Sequence, residues 1–314
     1  MSSYPLQRPP IVLSDAESVI DALMAGAAAN MGAACRRGSV DSIDAPGKLI
    51  ATGDLHDNPV AFSKLVRLAG MRLNEPYMQD DAAGDATASP ICHLTLHEII
   101  HSDRLVNGMD MSYRALARVA DLKARYPEHV HVLLGNHELA QYTNAGVLKD
   151  GVRCVDVFND AVAFTFGEDA PRVDEACKAF IRSLPIALEV HTPRGTILCA
   201  HSVPAAAGMA RFDGEIIRRE LHDDDYIPRT GSAYLMTWGR GYDEQSLEDL
   251  VERWGVYMFI LGHEKAEDGV KFVQPNAIIL ASDHDKGTYL PIDLSDPPTP
   301  ASAMGQVRWL AQVE

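Results

Sequence analysis

The chain has 314 residues, 46% hydrophobic and 23% charged, an ordinary globular composition that excludes the disordered, collagenous and coiled-coil classes. Twenty-eight Lys and Arg against 44 Asp and Glu leave a formal charge of −16, so the surface repels nucleic acid and anionic membranes, although a few bound cations would still admit a small phosphorylated substrate to one cleft. Five scattered cysteines without a C-x-x-C pair read as reduced, mostly buried thiols; with no signal-peptide or lipidation pattern and no apolar run of bilayer length, the expectation is a soluble cytoplasmic protein.

Residues 1–47 read as a leader and one helix: Ser14 with Glu17 three positions on matches a capping box, and the Ala-rich stretch from 15 to about 35 is expected to pack outside the core. Five β-rich runs follow, 48–52, 93–96, 129–134, 195–200 and 257–261, with a sixth at 277–281. Helical patterns separate the early runs at 59–68, with Pro59 in the favoured first position, and at 112–125. Strand and helix alternating at this spacing predict an α/β sheet with right-handed crossovers, and near-continuous apolar runs such as 132–134 and 259–261 predict strands covered on both faces. Residues 72–90 read as a long acidic surface loop. The stretches 142–184 and 205–238 are insertions placed to wall a site, without a linker that would make either a domain, so 48–293 is one unit and 294–314 a tail.

Each of the first five runs ends in polar residues: Gly53-Asp54-Leu55-His56-Asp57, His97-Glu98, Gly135-Asn136-His137-Glu138, His201 and Gly262-His263. Sites in open α/β sheets form beyond the carboxyl ends of the strands, so these clusters should converge. Any one of them is unremarkable, since a lone His at a strand end is usually a boundary residue and Asn136 alone suits a turn. Together they gather carboxylates, imidazoles and an amide oxygen without thiolate, the donor set of borderline or hard divalent cations, and they point to a dinuclear metal site. The glycines before Asp54, Asn136 and His263 are expected to turn the chain sharply off its strand. Asp283 and His284, after the sixth run, are candidates to orient a ligand imidazole.

The series Gly-Asp-x-His at 53–56, Gly-Asn-His-Glu at 135–138, His201 and Gly-His at 262–263 resembles the calcineurin-like metallophosphoesterases, in their phosphoprotein phosphatase branch. Residues 178–201 and 234–240 (YLMTWGR) add to the likeness. The resemblance implies a four-layered α/β/β/α sandwich and two divalent metal ions (Mn, Fe or Zn). Asp54 and His56 would hold one ion, and Asn136, His201 and His263 the other. The branch bridges its metals with the first Asp of Gly-Asp-x-x-Asp-Arg-Gly, and here that motif is broken to His97-Glu98-Ile99-Ile100-His101-Ser102-Asp103-Arg104. Aligning Asp103-Arg104 with Asp-Arg puts Ile100 at the bridge, whereas aligning Glu98 with the bridging Asp keeps a carboxylate there, puts His101 at the second Asp and displaces Arg104; the second register is preferred. Further departures are Asp57 and Ser202-Val203 where glycines are usual.

In this likeness His137 protonates the leaving alkoxide, oriented by His101 or Asp103, and Arg240 clamps phosphate oxygens through its guanidinium fork. The expected partner is a phosphorylated substrate, with no nucleic acid and no membrane. Three readings follow: a phosphomonoesterase, which leads; a nucleotide polyphosphate or phosphodiester hydrolase on the same site; and a degenerate member that binds without turnover.

Overall fold

The structure, a computed structural model, describes residues 8–73, 92–149 and 151–313. In chain order its first half holds α1 (Ala16–Gly32), β1 (Arg36–Arg37), β2 (Val40–Asp44), β3 (Lys48–Thr52), α2 (Pro59–Leu68), β4 (His93–His97), α3 (Tyr113–Arg125), β5 (Val130–Leu133) and α4 (Asn136–Thr143). A hairpin of β6 (Leu148–Lys149) and β7 (Val152–Arg153) leads into α5 (Cys154–Phe166) and α6 (Ala170–Arg182), then β8 (Ala187–Thr192) and β9 (Gly195–Ala200). The remainder comprises α7 (Ser232–Trp238), α8 (Glu244–Trp254), β10 (Val256–Leu261), β11 (Val270–Val273), β12 (Ala277–Leu280), β13 (Thr288–Asp293), α9 (Pro300–Ala303) and β14 (Arg308–Trp309).

Two sheets face each other, one of order β1-β2-β8-β9-β10-β12-β11 and one of order β14-β13-β3-β4-β5. Leu49 and Ala51 of β3 meet Ile197, Cys199, Met258, Ile260, Ile278 and Leu280 between them. The alternate residues Ile50, Leu198, Ala200, Phe259 and Leu261 belong to the core that packs the helices against the outer faces. Side chains alternate along a strand, so burial on both faces accounts for the unbroken apolar runs. The result is the expected α/β/β/α sandwich.

All six expected strands are present: β3 and β9 have the predicted bounds, and the others differ by one residue at one or both ends. The first helix corrects two expectations. Its cap is Asp15, whose carboxylate accepts from Ser18 N, rather than Ser14. Nor does it lie outside the core: Val19, Leu23 and Ala27 are buried, and Gly26 sits so tightly on Ala120 of α3 that a Cβ there would collide. Small residues along one face let the two helix axes approach closely. The segment before residue 47 also supplies β2, parallel to β8, and the segment after 293 supplies β14, antiparallel to β13. Nearly all of the acidic loop expected at 72–90 lies outside the described residues. The insertion at 205–238 consists of three 3-10 turns and α7. All five cysteines are free thiols, four of them buried. Among the described residues no helix is long and apolar enough to cross a membrane.

Candidate metal centre

β3, β4 and β5 run parallel, as do β9, β10 and β12, so the residues following them emerge at shared edges. Asp54 continues β3 far enough to bridge both His97 and Ala281, which ties the two sheets together at the site. The glycines act here through space. A Cβ at Gly262 would run into Asp54 Oδ1 and the His97 ring, and one at Gly135, whose φ of −95° any residue can adopt, would run into Glu98 Oε2 and Glu138 Oε2. Five of the eight non-glycine residues with left-handed φ among the described residues are at the site: His56, Asp57, Glu98, His101 and His263. Strain of this kind costs on the order of 1 kcal/mol per residue and persists where surrounding contacts enforce the geometry.

Around His201 Nε2 lie Asn136 Oδ1 at 2.9 Å, His263 Nδ1 at 3.1 Å and Glu98 Oε2 at 3.5 Å. Donors about 2.1 Å from one cation stand roughly 3.0–3.4 Å apart, and the three distances from His201 Nε2 are close to that spacing. A second group, Asp54, His56 and Glu98, offers donor atoms within 4.8 Å of one another, and Glu98 belongs to both groups. His56 Nδ1 lies 3.2 Å from the carbonyl oxygen of Ile100 and donates to it, which leaves Nε2 free to coordinate.

The electrostatics fit cations. Burial raises Glu98 well above the usual carboxylate range, and the nearby Glu138 and Asp54 add to the rise. Glu138 Oε1 accepts from Ile99 N and Ile100 N, but its Oε2 is buried without a hydrogen-bond partner. Burial opposes ionisation of Asp54 as well, yet His201 and His97 beside it hold its carboxyl well below the usual range. Three carboxyl groups packed together, with an amide oxygen facing an imidazole nitrogen, form a cluster that divalent ions would neutralise.

His137 lies next to this cluster, its Nε2 3.6 Å from Glu98 Oε1 and its Nδ1 2.8 Å from His101 Nδ1. His101 in turn reaches Gln141 Oε1 through Nε2 at 3.1 Å. Burial pushes His137 well below its ordinary value, helped by His56 and His101, and brings His101 down to about 4. Arg240 Nε donates to His263 Nε2 at 2.8 Å.

The structure therefore brings together Asp54, His56, Glu98, His101, Asn136, His137, His201, Arg240 and His263. It does not bring in Asp103, which is exposed and pairs with Lys149 Nζ at 2.8 Å, whereas Ile100 is fully buried in the core. Arg104 turns to the carbonyl oxygens of His56 and Asp57. Asp283 takes part through its main-chain carbonyl oxygen, which accepts from the side-chain Nδ2 of Asn58, and His284 Nε2 meets Ala266 O, while Ser282 Oγ accepts from Gly53 N. Three participants carry no role in the sequence reading: His97, Gln141, and Cys154, whose sulfur lies within 4.8 Å of His101 and His137 donor atoms. His97 stood in plain view beside Glu98, and only the alternation of strand faces could have hinted at its direction.

The family model of calcineurin-like phosphoesterases matches residues 47–266. The chain belongs to this family. No curated protein gives a sequence match. Among solved structures, a serine/threonine phosphatase from Saccharomyces cerevisiae, with similarity to human phosphatase PP5, superposes with a TM-score of 0.63 at 14% identity, covering 89% of this chain and 83% of that one. A cold-active protein-tyrosine phosphatase from a psychrophilic Shewanella superposes with a TM-score of 0.52 at 14% identity, over 80% of this chain and 77% of its own. At such identities these likenesses speak for the sandwich fold, and family membership makes phosphoester hydrolysis with metal ions the chemistry to test on these residues.

Proposed function

We propose that the protein is a phosphomonoesterase that holds two divalent cations, Mn, Fe or Zn by the chemistry of the donors. The observation that carries this reading is the sharing of Glu98 between two donor groups, Asp54 with His56 on one side and Asn136, His201 and His263 on the other. Bound there, such ions supply Lewis acidity at phosphoryl oxygens and an ionised water near neutral pH. Glu98 in the shared position supports the catalytic reading over that of a degenerate, non-catalytic member.

The chain's own residues divide the remaining work. His137, fixed at Nδ1 by His101, presents Nε2 as the proton donor for the leaving alkoxide. Coordination through His263 Nδ1 requires the ring proton on Nε2, which turns the Arg240 contact into donor against donor and releases the guanidinium towards the phosphate. Arg240 would thus be held in reserve until the site is loaded.

The test is hydrolysis of an aryl phosphate by protein stripped with chelator and then reloaded with Mn, Fe or Zn. Turnover should vanish on stripping, return with metal, and exceed that of the matching diaryl phosphate. Undiminished turnover by the stripped protein defeats the reading, and a preference for the diester moves it to the phosphodiesterase alternative.

A further inference from the structure

We propose that His97 sets the tautomer of His201 and so aims the Nε2 lone pair of His201 at a cation; the proposal rests on the two-metal reading above. With Glu98 at the bridge, His97 occupies the position where the resembled motif has glycine, and it fills that position with a buried imidazole only 2% exposed.

Both ring nitrogens of His97 are engaged. Nε2 lies 2.9 Å from Thr52 O, and a carbonyl oxygen can only accept, so Nε2 carries the proton. Nδ1 of the neutral ring is then an acceptor. It faces His201 Nδ1 at 3.1 Å and Asp54 Oδ1, which can only accept, at 3.3 Å, so His201 Nδ1 is the nitrogen that donates between them and its proton is fixed there. His201 Nε2 is left with its lone pair, which lies 2.9 Å from Asn136 Oδ1, another acceptor, and 3.1 Å from His263 Nδ1, whose proton it can accept until that nitrogen is itself needed as a ligand. Lone pair against lone pair is unfavourable alone and favourable around a cation, so the chain Thr52, His97, His201 ends in a preformed ligand.

Direct ligation is the other use of an imidazole at this place. Asp54, His97 and His201 do offer donor atoms within 4.8 Å of one another, so the geometry admits that use, and one observation counts against it. The Nδ1 lone pair of His97 is already occupied by His201. Without His97, the His201 proton would turn to Asp54 Oδ1, 3.4 Å away, and compete for a carboxylate that the other ion needs.

The side-chain amides of Asn and Gln test the acceptor at Nδ1 in the full chain, and the Co2+ spectrum of His97→Asn separates positioning, which leaves it unchanged, from direct ligation, which exchanges a nitrogen donor for oxygen and shifts it. The Asn amide oxygen can stand in for Nδ1, and the Gln amide for Nε2 alone. Metal stoichiometry and dissociation constants, measured for Mn2+ and Co2+ by chelator competition with the Co2+ absorption spectrum as a second readout, should show two sites in the wild type. His97→Asn should keep both within about threefold, whereas His97→Gln should weaken one by about 10- to 100-fold and alter the Co2+ spectrum. Equal behaviour of the two variants, whether both intact or both impaired, overturns the role of His97 while leaving the two-metal reading standing. A wild type that binds no metal overturns that reading first, and this inference with it.

Discussion

Two buried polar clusters in this molecule both combine Asp with His and differ in what balances their acids. Around Asp41 of β2, the carboxylate accepts from Arg36 Nε at 2.8 Å and from His131 Nδ1 at 2.8 Å, with Lys123 Nζ at 3.9 Å, and Lys123 also donates to the carbonyl oxygens of Pro127 and Val130. Burial opposes the charge on Asp41, but His131, Lys123 and Arg36 overcome it and hold the carboxyl well below its usual range. At the carboxyl ends of the strands, burial instead drives Glu98 upward, Glu138 Oε2 has no partner, and His201 Nε2 faces an amide oxygen. Cys35, Asp41 and His131 also have the spacing of a metal-binding group. Residue type and distance therefore do not separate structure from function here; charge balance does, since Asp41 faces Arg36 and Lys123 of the chain whereas Glu98 faces two further acids, Glu138 and Asp54.

The same substitution made in both clusters puts this contrast to its hardest test. Glu98→Gln should lower turnover by about 10³-fold or more and reduce bound metal, because the shared carboxylate is lost. In metal-free protein it should leave unfolding stability unchanged or raise it slightly, since a poorly compensated buried acid is removed. Asp41→Asn should do the reverse, costing about 3–5 kcal/mol in denaturant unfolding by leaving Arg36 and Lys123 without their anion, while the surviving folded protein keeps its metals. Metal analysis and unfolding curves on both variants check this, and a loss of stability in metal-free Glu98→Gln would break the distinction between the two clusters.

A smaller effect probes the proton donor. A general acid works only while protonated, so activity should fall as pH rises through the pKa of His137, which burial and its neighbours His56 and His101 already lower. His101 is a neutral partner for His137, and an anion in its place would favour the imidazolium. His101→Asp should therefore move the descending limb of the pH–rate profile upward by about 1 unit or more. Gln141, now bonded to His101 Nε2, would lose that contact, so the absolute rate is expected to fall even as the limb shifts.

The sequence made the sandwich legible where strands are covered on both faces, because β3, β5, β9, β10 and β12 then read as apolar runs. It concealed β2, whose VDSID carries three polar residues and no regular alternation, and β13, where Pro291 interrupts a run that nonetheless pairs with β3. The strand-end clusters were legible because parallel topology makes distant ends converge. His97 and Gln141 were not, because each takes its meaning from a hydrogen-bond partner, 104 residues away for His97 and 40 for Gln141. The capping of α1 was misread by one residue, since Ser14 and Asp15 are both good caps and only backbone geometry decides between them.

The smallest expected effect falls on Asp103, and it tests how far the site extends along its own loop. Asp103 follows Glu98 by five residues and precedes Arg104, a neighbourhood that invites a catalytic role. Left-handed φ values of 51° at Glu98 and 62° at His101 bend this segment, with Glu98 and His101 turned inward and Asp103 out on the surface. Its pair with Lys149 is solvent-screened, and exposed pairs contribute about 0–1 kcal/mol. Asp103→Asn should accordingly keep both metals, change turnover by less than about twofold, and shift unfolding stability by no more than about 0.5 kcal/mol. The contrast with His101, two residues earlier and in contact with His137, is then complete within a single turn of chain. An Asp103→Asn variant that lost metal or slowed turnover tenfold would instead place this carboxylate among the groups that act at the site, against its exposed position beside Lys149.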